Sequence, residues 1–295
     1  MNEIAGNKDE ITRLLNDALT YHRAGEVDGA TTLYKNVLSL DPANDLAHNN
    51  LGIIYVMKEN YTKAIEHFTD VLRNTPGNVD TYFNLAKAYM LSDDFTDAVR
   101  IFEKANKLAP RDIQIMKNLA YCHKCTGDFE EALLNYRQVL NFDENNLFVL
   151  YEIAEIYYLM ENYERASEFC LKVRNRDASN WKARGLLADS YFYLRKYDEA
   201  VELMSGLISE FPDRIEFREK VSEYHLEKGD FASALHQYET ILSKEPNNLN
   251  FLQKYREIKK AMFNTDEKGF LSEMESSYEE KLKLKAKKHF EKEDY

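Results

Sequence analysis

Four asparagines recur at one fixed interval in the first half of the sequence. They are Asn16, Asn50, Asn84 and Asn118, and successive numbers differ by 34. A carboxamide offers two N–H donors and a carbonyl acceptor, which match the acceptor and donor of a peptide bond. Carboxamides aligned along one surface would pair with the backbone of an extended peptide whatever its sequence. Asn could instead be merely frequent at this position, and both interpretations stay open.

A second feature that could do chemistry is the motif Cys122-His123-Lys124-Cys125. Two cysteines separated by two residues can ligate zinc or carry out thiol–disulfide exchange. A structural zinc site needs four ligands, however, and no second pair of Cys or His follows at a suitable distance. His123 also stands where most other copies of the repeat described below have tyrosine, which favours a packing role. We therefore predict no catalytic residue, no metal and no cofactor.

A period of 34 residues organises the elements that must position these side chains. An alanine occurs seven times at this interval: Ala30, Ala64, Ala98, Ala132, Ala166, Ala200 and Ala234. The stretch 48–76 shows the accompanying residues in a fixed order: Leu51, Gly52, Tyr55, Phe68 and Pro76. This order and spacing resemble the tetratricopeptide repeat. The resemblance covers roughly residues 11–263 and implies an all-α fold, a right-handed α-solenoid of helix-turn-helix repeats.

The same register divides the chain into segments. Seven repeats are predicted in residues 11–248, with starts near residues 11, 45, 79, 113, 147, 181 and 215. Residues 1–10 are predicted to be a flexible lead-in, because they are polar and offer only Ile4 to bury. Residues 249–264 keep a helical apolar spacing and are predicted to form a C-terminal capping helix. Residues 265–295 are predicted to be a charged helical tail.

Composition agrees with a helical repeat protein and disfavours several classes of function. There are only 10 Gly and 5 Pro, while 44% of residues are apolar and 31% are charged. A net charge of −12 argues against nucleic-acid binding, because affinity for phosphate requires a basic surface. We expect no membrane span and no secretory signal, since no apolar run is long enough. With only three cysteines, the expected location is cytoplasmic.

In the resembled family, the first helix of each repeat lines the concave face of the solenoid. The asparagine row falls on that face and resembles the asparagine ladder of O-linked N-acetylglucosamine transferases, although no glycosyltransferase domain is present. Aromatic and lysine side chains share the face and favour a partly apolar peptide that carries some negative charge. The predicted peptide-binding residues are Asn50, Asn84, Asn118, Phe83, Lys87, Lys117, Tyr121 and Tyr151.

The last repeat carries the opposite charge on the corresponding face. Its acidic residues there are Glu216, Glu219, Glu223 and Glu227. A basic segment could dock on them, and the Lys-rich stretch 281–288 of the tail is one such segment. Tethering raises the effective concentration of the tail, so autoinhibition is one hypothesis. A solvated tail without a partner is the other.

The sequence as a whole predicts a non-catalytic scaffold or adaptor. It would bind an extended peptide or a helix of a partner protein on the concave face. The alternative is a regulatory or targeting subunit of an enzyme or assembly complex, because fold does not determine function. Self-association through the terminal repeats is a further expectation, since an uncovered end can stack on a second copy.

Overall fold

The computed structural model describes the backbone of residues 2–263 and the side chains of residues 7–262. Within this range all regular secondary structure is helical. The helices are α1 Asn2–Arg23, α2 Val27–Leu40, α3 Asp45–Met57, α4 Tyr61–Asn74, α5 Val79–Leu91, α6 Phe95–Leu108, α7 Ile113–Thr126, α8 Phe129–Phe142, α9 Leu147–Leu159, α10 Tyr163–Arg176, α11 Trp181–Tyr193, α12 Tyr197–Glu210, α13 Ile215–Lys228, α14 Phe231–Lys244 and α15 Leu249–Phe263. The predicted tail, residues 265–295, lies outside the described residues.

Helices that are neighbours in sequence pack against each other as hairpins. The chain divides into two units, and the boundary falls after Ile156, inside α9. In the first unit the hairpins are α1/α2, α3/α4, α5/α6 and α7/α8, and each packs on the next. In the second unit α11/α12 and α13/α14 are the corresponding hairpins, with α15 packed on α14. The predicted α-solenoid class, made of helix-turn-helix repeats, is confirmed.

The turn inside each hairpin uses one backbone conformation, with a single residue at positive φ. Three of these residues are glycines, Gly25, Gly127 and Gly229, with φ between 78° and 84°. The other four are Glu59, Asp93, Glu161 and Arg195, with φ between 56° and 61°. A left-handed backbone conformation at this residue lets the N–H of the next residue donate a hydrogen bond to a carbonyl oxygen in the last turn of the helix. The Asn60 amide donates to the Tyr55 carbonyl oxygen at 2.8 Å in this way.

Helix starts are fixed by short polar side chains. Asn60 ends the turn after α3 and also begins α4, where its side chain accepts from the Lys63 amide at 3.2 Å. This capping contact satisfies one of the amides that a helix leaves unpaired at its start. The same contact is made by Asn44, Asn78, Asp94, Asp112, Asn162, Asn180 and Asp230.

The core of each hairpin follows the 34-residue register. The seven alanines of the register are fully buried. Four residues after each alanine, a second buried side chain fills the hairpin: Tyr34, Phe68, Phe102, Tyr136, Cys170, Met204 and Tyr238. Gly52 shows why a small residue faces this position, because a Cβ there would lie 2.5 Å from the Phe68 ring. The close approach of paired helices therefore depends on small side chains.

Helices α1 and α15 lie at the two ends of the repeat series. Helix α1 begins at Asn2 and so includes most of the predicted lead-in, whose flexibility stays a prediction. Those residues are polar, but Glu and Lys favour helix and no proline interrupts them. At the other end α15 covers α14 with Phe251, Tyr255 and Ile258. Among residues 2–263, no helix has the length and apolar character that a membrane crossing would require.

Candidate protein-interaction surface

The asparagines of the register lie on the first helices of the first unit. Asn50 on α3 is buried, and its Nδ2 donates to the Leu46 carbonyl oxygen at 2.7 Å. Asn118 on α7 is half-buried and makes the same bond to Gln114 at 2.8 Å. Both bonds stay on the asparagine's own helix, four residues back. Each of these two carboxamides therefore donates one N–H to the backbone of its own helix. Its other N–H and its carbonyl oxygen take no part in that bond.

The remaining asparagines differ in exposure. Asn84 on α5 is half-buried, whereas Asn16 on α1 is exposed. One carboxamide in the row is therefore buried, two are half-buried and one faces solvent. The likeness of this row to the transferase ladder stays a prediction.

Phe83 and Lys87 form one aromatic–cation pair on α5. The Lys87 Nζ lies 5.8 Å from the centroid of the Phe83 ring, one helical turn away. The Phe83 ring also meets Phe102 edge to face at 5.8 Å. Both Phe83 and Lys87 are half-buried. The ring is anchored by Phe102, and the ammonium places a positive charge beside apolar surface.

A second group of aromatic and lysine side chains joins α7 to α9. The Lys117 Nζ on α7 lies 5.6 Å from the ring centroid of Phe148 on α9. Phe148 is 50% exposed, which is high for a phenylalanine. Tyr121, one turn after Lys117, packs edge to face on Phe95 at 6.3 Å, and Tyr151 is half-buried on α9. The structure therefore brings Lys117 close to Phe148, with Tyr121 and Tyr151 on the same two helices.

A buried ion pair interrupts the asparagine row at its next position. Glu152 replaces asparagine in the register and is 6% exposed. The Lys124 Nζ lies 2.6 Å from Glu152 and 2.7 Å from Glu155, and the Tyr136 hydroxyl donates to Glu152 at 3.3 Å. Desolvation lowers the pKa of Lys124, but the hydrogen bonds to the two carboxylates outweigh it and the net pKa is raised. This position is structural, and the sequence analysis missed the pairing.

The last turn of the first helices exposes a large apolar side chain in four repeats. In the first unit these are Met57, 61% exposed, and Leu91, 43% exposed. In the second unit they are Leu159, 51% exposed, and Tyr193, 50% exposed. The four positions share one place in the register, so their exposure is a property of the repeat. Leu91 and Leu159 follow Met57 by one and three repeat lengths, so the 34-residue period alone identifies them as equivalent positions.

The acidic face of the last repeat borders a cleft of about 570 Å³ between α13 and α15. Glu216, Glu219 and Glu223 line it together with Lys254. The Lys254 Nζ lies 2.8 Å from Glu219 and the Arg214 guanidinium lies 3.6 Å from Glu216, so two of the three carboxylates are already paired. The face is therefore less acidic than its sequence alone indicates.

The Cys-x-x-Cys motif does not place its two thiols in one environment. Cys122 is fully buried in the core of the first unit, whereas Cys125 is exposed. Burial, and to a lesser extent Cys125, raises the pKa of Cys122 to about 12, so its thiol stays protonated at neutral pH. His123 is 7% exposed, as expected for a packing position.

Hairpins of this kind, repeated every 34 residues and packed in series, define an α-solenoid protein. The sequence models of the tetratricopeptide repeat match residues 18–59, 55–120 and 186–248. A model described as anaphase-promoting complex, cyclosome, subunit 3 matches residues 125–207. The chain is a member of the tetratricopeptide repeat family.

Several solved structures resemble this chain. YrrB, described as a TPR protein with an unusual peptide-binding site, is 25% identical, with 62% of this chain and 94% of YrrB covered at a TM-score of 0.56. The C-terminal part of a TPR repeat-containing protein from Cytophaga hutchinsonii is 15% identical, with 81% and 98% covered at 0.66. PilW, described as a widely conserved type IV pilus biogenesis factor, is 20% identical, with 72% and 98% covered at 0.58. Among curated proteins no sequence matches this chain.

Proposed function

We propose that this chain is a non-catalytic scaffold or adaptor that binds an extended peptide segment of a partner protein. The binding face comprises the first helices α3, α5, α7 and α9 in the first unit. The observation that carries the proposal is the pairing of lysines with partly exposed aromatic rings on these helices, Lys87 with Phe83 and Lys117 with Phe148. YrrB, whose description names a peptide-binding site, supports the same class of function by similarity.

The chemistry of this face specifies the kind of peptide. The half-exposed ring of Phe148 offers apolar contact, and Lys117 beside it attracts a carboxylate. Carboxamides at Asn84 and Asn118 would pair with peptide backbone, which requires an extended ligand whose amides are free. The favoured ligand is therefore a partly apolar, acidic peptide in extended conformation. The net charge of −12 favours a protein partner over nucleic acid.

An alternative role is that of a regulatory or targeting subunit in a larger assembly. The match of residues 125–207 to a family described as a subunit of the anaphase-promoting complex favours it. Such a subunit would use the same face, so the two roles differ in the partner and not in the site. The chain has only three cysteines, which fits the cytoplasmic location that we propose. Self-association through the terminal repeats is part of the same proposal.

The test compares wild type with the variant Asn84→Ala/Asn118→Ala/Lys87→Glu. Random displayed peptides are selected on the wild type, and the affinity of an enriched peptide is then measured by fluorescence anisotropy. Selected peptides should be rich in apolar and acidic residues, and the variant should bind at least about tenfold more weakly, equivalent to about 1.4 kcal/mol. N-methylation of the peptide backbone should weaken binding further if carboxamides grip that backbone.

A matched control carries the same types of change on second helices. The variant Asn36→Ala/Lys104→Glu alters an exposed asparagine on α2 and an exposed lysine on α6. It should bind the selected peptide within about twofold of wild type. Equal affinity for wild type and the Asn84→Ala/Asn118→Ala/Lys87→Glu variant would place binding elsewhere and overturn the proposal.

A further inference from the structure

Two histidines and an aspartate meet inside the hairpin α3/α4. His48 lies on α3, while His67 and Asp70 lie on α4. The Nδ1 atoms of the two histidines are 2.9 Å apart, and Asp70 Oδ2 is 3.7 Å from His48 Nδ1. The candidate ligand atoms all lie within 4.8 Å of one another. In the part of the chain that the structure describes, no other group of His, Cys, Asp and Glu meets this criterion.

The repeat pattern does not account for these side chains. The register position of His48 holds Leu14, Tyr82, Met116 and Leu150 in the other repeats of the first unit. The position of His67 holds Leu33 and Ile101 in the first and third repeats. Asn135 stands at the His67 position in the fourth repeat, but the other side chains named here are apolar, because both positions face the inside of the hairpin. Two polar rings in contact there must be satisfied by each other or by a ligand.

The tautomer of His48 is fixed by its backbone contact. Its Nε2 lies 3.0 Å from the Pro42 carbonyl oxygen, which can only accept a hydrogen bond. Nε2 therefore carries the proton, and the Nδ1 lone pair points towards His67. A histidine that donates its second ring N–H to a backbone carbonyl is the usual arrangement of a metal ligand, because that bond holds the ring in position.

The other two side chains are also held in place. The His67 ring stacks on Tyr55, with centroids 5.4 Å apart and planes at 8°. Asp70 Oδ1 pairs with Arg73, which leaves Oδ2 directed to the histidines. His48 is buried, but the Asp70 side chain is 36% exposed. The group therefore opens to solvent on the Asp70 side, where a water molecule could complete a coordination shell.

We propose that His48, His67 and Asp70 bind a divalent transition-metal ion, with Zn²⁺ the best match. Two imidazoles and one carboxylate are ligands that Zn²⁺ takes, with water in the fourth position. Ligands on a tetrahedral Zn²⁺ with bonds of 2.0–2.1 Å lie about 3.3 Å apart. Two of the three separations, 2.9 Å and 3.7 Å, bracket that value, and the third is within 4.8 Å, so a side-chain movement of at most about 1.5 Å would suffice. The ion would cross-link α3 to α4.

Zinc titration of the full chain tests this inference. Protein treated with a chelator and then freed of it is titrated with ZnCl₂ in a calorimeter. One ion per chain is expected, and His67→Gln and Asp70→Asn should each weaken binding by at least about tenfold. Circular dichroism verifies that both variants fold. His236→Gln, which alters an exposed histidine on α14, is the matched control and should bind as wild type does.

Two further readouts separate this site from other sources of zinc affinity. Co²⁺ bound to wild type should show the absorption of a tetrahedral site with nitrogen and oxygen ligands and no thiolate charge-transfer band. Zn²⁺ should raise the unfolding temperature of wild type, because it binds the folded state, and should leave that of His67→Gln unchanged. The inference is wrong if wild type does not bind Zn²⁺, if both ligand variants bind it equally well, or if binding is lost in Cys125→Ser.

Discussion

The Lys124 ammonium lies 2.6 Å from the Glu152 carboxylate and so ties α7 to α9 across two successive repeats. The side chains of Lys124 and Glu152 are 11% and 8% exposed. Glu152 occupies the place in the register where earlier repeats have asparagine, so the row of carboxamides stops at a buried ion pair. The pair lies close to the proposed peptide-binding face without being part of it.

Removal of the Lys124 ammonium should therefore destabilise the fold. Lys124→Met leaves the buried Glu152 charge without its partner and should lower the free energy of unfolding by about 3 kcal/mol. Lys117→Met, which removes an ammonium from the Phe148 ring, should cost less than about 1 kcal/mol. The double variant Lys124→Met/Glu152→Leu should recover most of the loss. Urea denaturation at neutral pH measures all three, and equal costs for the two lysine variants would contradict the prediction.

The buried hydroxyl of Tyr136 should make the stability of the fold depend on pH in the alkaline range. Burial, followed by the charge of Glu152, raises the pKa of Tyr136 above its ordinary value of about 10. The unfolded chain loses this proton near pH 10 while the folded chain keeps it, so stability should fall as the pH rises above about 10. Tyr136→Phe has no such proton and should lose less stability between about pH 9 and pH 11. Urea midpoints of wild type and Tyr136→Phe, measured at these pH values, test the prediction. An equal fall of the midpoint with pH in both proteins would refute it.

Two glycines in helices should respond oppositely to alanine. A Cβ at Gly52 would lie 2.5 Å from the Phe68 ring, so Gly52→Ala should destabilise the protein by about 1–3 kcal/mol. A Cβ at Gly185 would meet only Leu207 Cδ1, at 3.9 Å. Gly185→Ala should then stabilise by about 0.5–1 kcal/mol, because alanine favours helix. The unfolding temperatures of both variants, compared with that of wild type, test the prediction. Shifts of the same sign would contradict it.

The hairpin turns offer a second pair of opposite effects. Glu161 has φ of 59° in the position that Gly127 fills with φ of 84°. A residue with a Cβ pays about 1–2 kcal/mol in this conformation, so Glu161→Gly should stabilise the protein by about 1 kcal/mol. Gly127→Ala should destabilise it by a similar amount. Urea midpoints for both variants test the prediction, which fails if glycine at residue 161 weakens the fold.

The elements of the fold could be predicted from the sequence because they depend on residues close together in the chain. Ala64, Phe68 and Gly52 lie within one repeat, and their spacing alone indicates a helical hairpin. The turns at Gly25, Gly127 and Gly229 are recognisable from composition for the same reason. The start of α1 at Asn2 could not be predicted in this way, because polar residues can extend a helix without an apolar pattern that marks them.

The binding residues could be predicted only as positions on a face. The register places Phe83, Lys87 and Lys117 on first helices, where the structure also has them. It does not tell how far Phe148 is exposed or that Asn50 is buried, since exposure depends on neighbouring repeats. Peptide binding at these residues therefore stays a prediction that the displayed-peptide experiment tests.

The sequence by itself determined that this protein is a series of helical hairpins with fixed inner residues, because periodicity and turn chemistry are local. Only the tertiary structure decided which polar side chains meet. Lys124 and Glu152 are 28 residues apart, and His48 and His67 are 19 apart, on different helices. Their contacts depend on the rotation and separation of packed helices, which follow from the sum of all core contacts and not from any short stretch of sequence.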